Sequence, residues 1–165
     1  TGTAWVTCFA FSQDGAILAS GHDDGFVRLW EVNGLKLVGE IHAHALSVST
    51  LAFTPHGKSL TSAGEDRMVR LWNLETKQQV QEWKGHTDRI PALQWSPNGE
   101  FFITAGWDTT ARVWEPSRTD PLMLLNAHSD QVNSIAFATD GSLACADSDF
   151  AIHIWSDPRR GKARC

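Results

Sequence analysis

Two sets of side chains in this chain combine the three residue types that hydrolases use for nucleophilic attack. The sets have the same internal spacing, and they are His44, Ser62 and Asp66, and then His86, Thr104 and Asp108. A hydrolase needs one exposed nucleophile that a His–Asp pair activates. Because the set recurs in successive segments, repeated scaffolding explains it better than an active site does. We therefore predict no catalytic residues and no enzyme activity.

Tryptophan marks the repeat more sharply than these polar residues do. Trp30, Trp72, Trp114 and Trp155 are spaced by 42, 42 and 41 residues, and each follows an aspartate by six positions. Upstream of each lies a turn sequence that ends in glycine, and short apolar runs between the turns favour strands. This period predicts an all-β repeat protein. Of the other tryptophans, Trp95 is predicted to lie in the core and Trp83 to be half exposed at the end of an outer strand.

The repeated segments resemble the WD-repeat (WD-40) β-propeller family. The strings GHDDGFVRLW, AGEDRMVRLW, AGWDTTARVW and ADSDFAIHIW are similar to the segment that ends each repeat of that family. Gly85-His86 matches the pair with which those repeats begin, whereas two other repeats keep only the histidine, at His44 and His128. The resemblance implies an all-β propeller of four four-stranded blades.

The repeat register divides the chain into four blades and a tail. The predicted ranges are 1–43, whose start is incomplete, 44–85, 86–127, 128–156, and a basic polar tail at 157–165. In the family, the segment after each tryptophan supplies the outermost strand of a blade. The tail is polar and contains Pro158 and Gly161, so we expect the fourth blade to lack its outer strand. We also expect an open fragment of a larger ring.

The resemblance further implies a buried hydrogen-bonded network of one His, one Ser or Thr, the turn Asp and the Trp in each blade. An indole can only donate, whereas a hydroxyl both donates and accepts, so these groups can bond in series. The predicted members are Ser20, Asp24 and Trp30 in blade one, His44, Ser62, Asp66 and Trp72 in blade two, His86, Thr104, Asp108 and Trp114 in blade three, and His128, Asp149 and Trp155 in blade four, where Cys145 replaces the hydroxyl.

Partners of this family dock on the face that carries the turn aspartates, which we call the top face. Exposed Trp and Arg are enriched in binding hot spots, and acidic residues favour a basic segment in the ligand. The repeat register selects the candidate partner-binding residues Trp107, Arg89, Pro91, Trp5, Asp23, Glu65, Gln131 and Asn133. The alternative for Trp107 is that it covers a neighbouring blade.

Composition and spacing argue against other classes of protein. The net charge of −5 makes nucleic acid an unlikely main partner, because phosphate contacts need clustered Lys and Arg. No spacing of Cys and His fits a metal motif, so we expect neither a metal ion nor a cofactor. No apolar run is long enough to cross a membrane. Three cysteines without a disulfide pattern favour a reducing, cytoplasmic location.

The function that the resemblance implies is that of a non-catalytic scaffold for protein–protein interaction. Such a scaffold would bind a peptide or a partner domain on its top face, and its partners would include basic segments and further propeller blades in cis or in trans. The alternative is a sensor or regulatory segment of a larger enzyme, such as a kinase, whose catalytic domain lies outside this chain.

Overall fold

A computed structural model describes residues 4–126, 128–160 and 162–164 of the protein. These residues form four antiparallel sheets, and each sheet contains four strands. Within each sheet the strands are ordered as in the sequence, so every connection inside a blade is a hairpin. We refer to the sheets as blades one to four.

The strands are short, as the spacing of the turn residues predicts. Blade one contains β1 Val6–Phe11, β2 Ile17–His22, β3 Phe26–Glu31 and β4 Lys36–His42. Blade two contains β5 Val48–Phe53, β6 Ser59–Gly64, β7 Val69–Asn73 and β8 Gln79–Trp83. Blade three contains β9 Ala92–Trp95, β10 Phe102–Ala105, β11 Ala111–Trp114 and β12 Met123–Leu125. Blade four contains β13 Val132–Phe137, β14 Leu143–Asp147, β15 Ile152–Asp157 and β16 Lys162–Arg164.

A glycine in the left-handed region closes the first hairpin of every blade. Gly15, Gly57, Gly99 and Gly141 have φ values of 69°, 69°, 70° and 83°. Each donates its N–H to the carbonyl three residues earlier. Only glycine adopts this φ without steric cost, which is why the same residue type recurs at the same point of each blade.

The structure corrects the expectation that blade four lacks an outer strand. β16 pairs antiparallel with β15, and Ile154 lies opposite Arg164. A polar segment can form this strand because an outermost strand is held by backbone hydrogen bonds and needs few apolar contacts. Pro158 does not interrupt the pairing, because it lies in the 3-10 turn Pro158–Arg160 that reverses the chain between the two strands.

The blades stack in sequence order and form an open arc. The inner strand of each blade contacts the inner strand of the next, from β1 to β5, β9 and β13. One apolar cluster fills each of the three interfaces between neighbouring blades. Between blades one and two, for example, Ala19, Val27 and Leu29 share a cluster with Leu51, Leu60 and Trp72.

Trp83 is part of this core, which corrects the expectation that it is half exposed. Its side chain is fully buried, and its ring meets the ring of Phe102 edge-on at 4.8 Å. Its Nε1 donates to the carbonyl of Arg118 at 2.6 Å, in the loop that follows β11. The loop between β11 and β12 therefore contacts the end of β8, the outermost strand of the preceding blade. Trp95 is buried in the same cluster, as predicted.

We expect Trp83→Ala to lower the free energy of unfolding by about 3–5 kcal/mol, because it opens a large cavity between blades two and three. Trp5→Ala is the matched control, since its side chain is 77% exposed, and it should change that free energy by less than about 0.5 kcal/mol. Urea titration followed by circular dichroism measures both variants. Equal losses in the two variants would contradict the assignment of Trp83 to the core.

Candidate functional site

Blade two contains an unbroken series of hydrogen bonds from an indole to a carboxylate. Trp72 Nε1 donates to Ser62 Oγ at 2.9 Å, and Ser62 Oγ lies 2.8 Å from His44 Nε2. His44 Nδ1 lies 2.7 Å from Asp66 Oδ1. Because Ser62 Oγ accepts the hydrogen bond of the indole N–H, its own O–H donates to His44 Nε2, and this assigns the N–H of His44 to Nδ1, facing the carboxylate.

Blade three repeats this network with threonine in place of serine. Trp114 Nε1 donates to Thr104 Oγ1 at 2.8 Å, and Thr104 Oγ1 lies 2.7 Å from His86 Nε2. His86 Nδ1 is 2.9 Å from Asp108 Oδ2. The structure thus joins all four residues that the sequence analysis selected in this blade, as it does in blade two.

Electrostatics keep both turn aspartates ionised. Burial by itself raises the pKa of Asp66, but the hydrogen bonds of His44 and Arg70 and the charge of Arg70 outweigh it and hold that pKa well below its usual range. Asp108 follows the same pattern, with burial opposed mainly by His86. The side chains of His44 and His86 are fully buried. These sets can hold a blade rigid, but they do not present their hydroxyl to a substrate.

Blade one fills the missing histidine position from its own second strand. His22 Nε2 lies 2.9 Å from Ser20 Oγ, which also accepts the indole N–H of Trp30 at 2.8 Å. Asp24, which we expected in this network, instead forms an ion pair with Arg28 at 2.8 Å. Burial, reinforced by the charge of Arg28, lowers the pKa of His22 and keeps it neutral.

Blade four departs from the predicted network and requires a correction. His128 Nδ1 lies 2.8 Å from Asp147 Oδ2, whereas Asp149 accepts a hydrogen bond from Ser129 Oγ at 2.8 Å. Among the described residues, His128 Nε2 and Trp155 Nε1 are buried without a hydrogen-bond partner. Cys145 stands where the hydroxyl should be, and a thiol is a weak donor and acceptor, so the network is interrupted there.

One position, eight residues before the tryptophan, accounts for both departures. Blades two and three have Gly64 and Gly106 there, and a Cβ at either would crowd Nδ1 of the blade's histidine. Blade one, which has no such histidine, places His22 at this position. Blade four places Asp147 there, within reach of His128. The sequence contained this signal, because the residue type changes only in the two blades whose networks are irregular.

Side chains of three successive blades are linked along the top face, and we call them the top-face chain. Arg89 Nη1 lies 3.1 Å from Glu65 Oε1, and its guanidinium lies 5.0 Å from the centre of the Trp107 ring. Trp107 Nε1 donates to Asn133 Oδ1 at 3.0 Å. Asn133 Nδ2 in turn donates to Ser148 Oγ at 2.7 Å. The chain therefore connects blades two, three and four.

The remaining candidate residues lie around this chain. Trp5 and Asp23 form a separate pair on blade one, where the Trp5 N–H donates to Asp23 Oδ1 at 2.8 Å. The carbonyl of Gln131 accepts the N–H of Ser148 at 3.0 Å. Pro91 lines a cavity of about 660 Å³ between the inner strands.

We expect Thr104→Val to lower the free energy of unfolding by about 2–4 kcal/mol, because it leaves the buried indole N–H of Trp114 and Nε2 of His86 without a partner. Cys145→Val makes the equivalent change in blade four, where the side chain links neither group, and should cost less than about 1.5 kcal/mol. Urea unfolding of the two variants gives the comparison. Similar losses at both positions would show that the hydroxyl contributes little.

The repeats match a known family along most of the chain. A family model described as "WD domain, G-beta repeat" matches residues 1–31, 35–73, 77–115 and 119–156. A comparison with curated proteins finds no match to this chain. Among the described residues, no helix has the length and apolar character needed to cross a bilayer. The chain belongs to the WD-repeat family, whose members are generally non-catalytic scaffolds for protein interaction.

Proposed function

We propose that the chain binds a basic peptide segment of a partner protein on the top face of blades two to four. The observation that carries this proposal is the top-face chain from Glu65 to Ser148. It contains an arginine and a tryptophan, which are the residue types that contribute most to binding energy at protein interfaces.

Both anchor residues are held in place before any ligand arrives. Trp107 is fixed by its hydrogen bond to Asn133 and by the guanidinium of Arg89 over its ring. The backbone N–H of Trp107 also donates to the carbonyl of Arg89 at 2.9 Å. A surface whose side chains are already ordered loses little conformational entropy on binding, which favours affinity.

The charge of the top face favours a basic ligand. Arg89 is already paired with Glu65, so it adds little net positive charge. Four exposed carboxylates lie in the surrounding turns and loops, at Asp23, Asp88, Asp130 and Asp149. Among the described residues, they outnumber the two exposed cations of those turns and loops, Arg67 and Lys84, and Lys84 is already paired with Glu82. Clustered carboxylates attract and orient Lys and Arg side chains of a peptide.

We expect a selection from a random peptide library to yield peptides enriched in Lys and Arg, and Trp107→Ala to weaken their binding at least about tenfold. Binding should also weaken as the salt concentration rises. Pro97→Ala, in an exposed turn of the same blade at the opposite edge, is the control and should leave affinity unchanged. Selected peptides without basic residues, or full binding by Trp107→Ala, would refute the proposal.

The two ends of the arc expose apolar side chains, and we call the two exposed surfaces the first flank and the last flank. The first flank consists of Phe9, Phe11, Leu18 and Trp30 on the side of blade one that faces away from blade two. Phe9 is 69% exposed, whereas the equivalent Leu51 and Leu93 are each 7% exposed because the preceding blade covers them. The last flank, on blade four, consists of Ile152 and Ile154. Ile152 is 70% exposed, whereas the equivalent Val27 is fully buried.

We therefore propose that each flank is covered by another blade of this kind, supplied in cis or in trans. The three interfaces within the chain show how such flanks are covered. In each of them, one blade contributes residues at the positions of the last flank, and the next blade contributes residues at the positions of the first flank. A second copy of the chain can meet both needs at once. Two copies would give eight blades, which is within the range of about four to eight seen for closed propellers.

We expect the purified chain to run in size-exclusion chromatography with light scattering at twice its mass of 18.2 kDa. Phe9→Asp should shift the mass to that of the monomer, because it places a carboxylate in the apolar interface. Val80→Asp, on the outer strand of blade two, changes a similarly exposed apolar residue away from both flanks and should not alter the mass. A monodisperse monomer of the unmodified chain would contradict dimer formation.

A further inference from the structure

Blade four brings three metal-ligating side chains together outside the top-face chain. His128, Asp147 and His153 each offer one ligand atom, and these atoms lie within 4.8 Å of one another. The three residues come from different elements: the loop after β12, the end of β14 and the start of β15. Their separation in the sequence is why no motif spacing predicts them.

At two of these positions, blades two and three carry a different residue type that lies in or beside their hydrogen-bonded network. His153 stands where blades two and three have Arg70 and Arg112, which pair with the turn aspartates at 2.7 and 3.5 Å. Asp147 stands where those blades have a glycine. Blade four has therefore replaced a permanent cation with an imidazole, and it has gained a carboxylate beside His128.

The group is buried and its hydrogen bonding is incomplete. The side chains of His128 and Asp147 are both fully buried, with Nδ1 and Oδ2 2.8 Å apart. The rings of His128 and His153 meet edge-to-face, with their centres 4.6 Å apart. Among the described residues, His128 Nε2 has no hydrogen-bond partner. A buried imidazole nitrogen without a partner is unfavourable, so the interrupted network leaves His128 incompletely bonded in this blade.

The chemistry of the group fits Zn²⁺ better than Ca²⁺ or Mg²⁺. Two imidazoles and one carboxylate form a set of nitrogen and oxygen ligands that suits Zn²⁺, whereas Ca²⁺ and Mg²⁺ prefer oxygen ligands alone. His153 is only partly buried, which leaves a route for the ion from solvent.

We propose that His128, Asp147 and His153 bind one Zn²⁺ ion. Three protein ligands leave a fourth position for water or for a side chain of a partner, as in other zinc sites with an open position. The ion would supply, beside Asp147, the positive charge that Arg70 and Arg112 supply beside the turn aspartates of blades two and three. Zinc binding is thus a property of this blade and does not depend on the peptide site proposed above.

The test is a titration of the untagged, metal-free chain with ZnCl₂ by calorimetry. We expect one Zn²⁺ per chain, and a rise in the midpoint of thermal unfolding when the ion is added. Co²⁺ should produce the visible absorption bands of a four-coordinate site. His153→Arg restores the residue that the other blades carry, so it should preserve the fold while weakening Zn²⁺ binding at least tenfold and abolishing the thermal shift.

His56→Arg is the matched control, because it makes the same change at an exposed histidine of blade two and should leave binding and the thermal shift unchanged. Asp147→Asn is the second variant, and it removes the charge with little change of size. Far-ultraviolet circular dichroism checks that each variant is folded. The proposal is overturned if the unmodified chain binds no Zn²⁺, or if His153→Arg and Asp147→Asn both bind it as tightly as the unmodified chain does.

Discussion

A sheet of four short strands cannot bury both of its faces by itself, and this constraint governs the whole arc. Each blade gains its core only by stacking on its neighbours, so apolar residues occupy the same positions in every repeat. Leu51 and Leu93 are buried for this reason, and Phe9 at the equivalent position is exposed because no blade precedes it in the arc. The interfaces between blades, and not the blades themselves, are therefore the units of stability.

The polar network depends on this stacking and in turn fixes the top face. Ser62 and Thr104 are buried by the adjoining blades, and in that environment an unpaired hydroxyl or indole would be costly. The histidines that bond to them come from the loop that leads into each blade, so the network ties that loop to the turn of the aspartate. The loops and turns held in this way carry the candidate partner-binding residues.

Sequence predicted the features that follow from the period and missed those that follow from contacts between repeats. The tryptophan register and the turn glycines located the blades, and the networks of blades two and three followed from the resemblance. The burial of Trp83 did not follow, because a loop of the next blade covers it. The strand Lys162–Arg164 was missed because backbone pairing at an edge requires no apolar pattern. His153 and Asp147 were missed because only the fold brings them to His128.

One turn of blade four joins the top-face chain to the cluster of His128, Asp147 and His153. Asp147 Oδ1 accepts the N–H groups of Asp149 and Ala151 at 3.1 and 3.0 Å, so this carboxylate shapes the turn between β14 and β15. The same turn carries Ser148, the last member of the top-face chain, which accepts a hydrogen bond from Asn133. The second oxygen of Asp147 faces His128. One carboxylate therefore bonds both to the backbone of the turn that carries Ser148 and to the imidazole of His128.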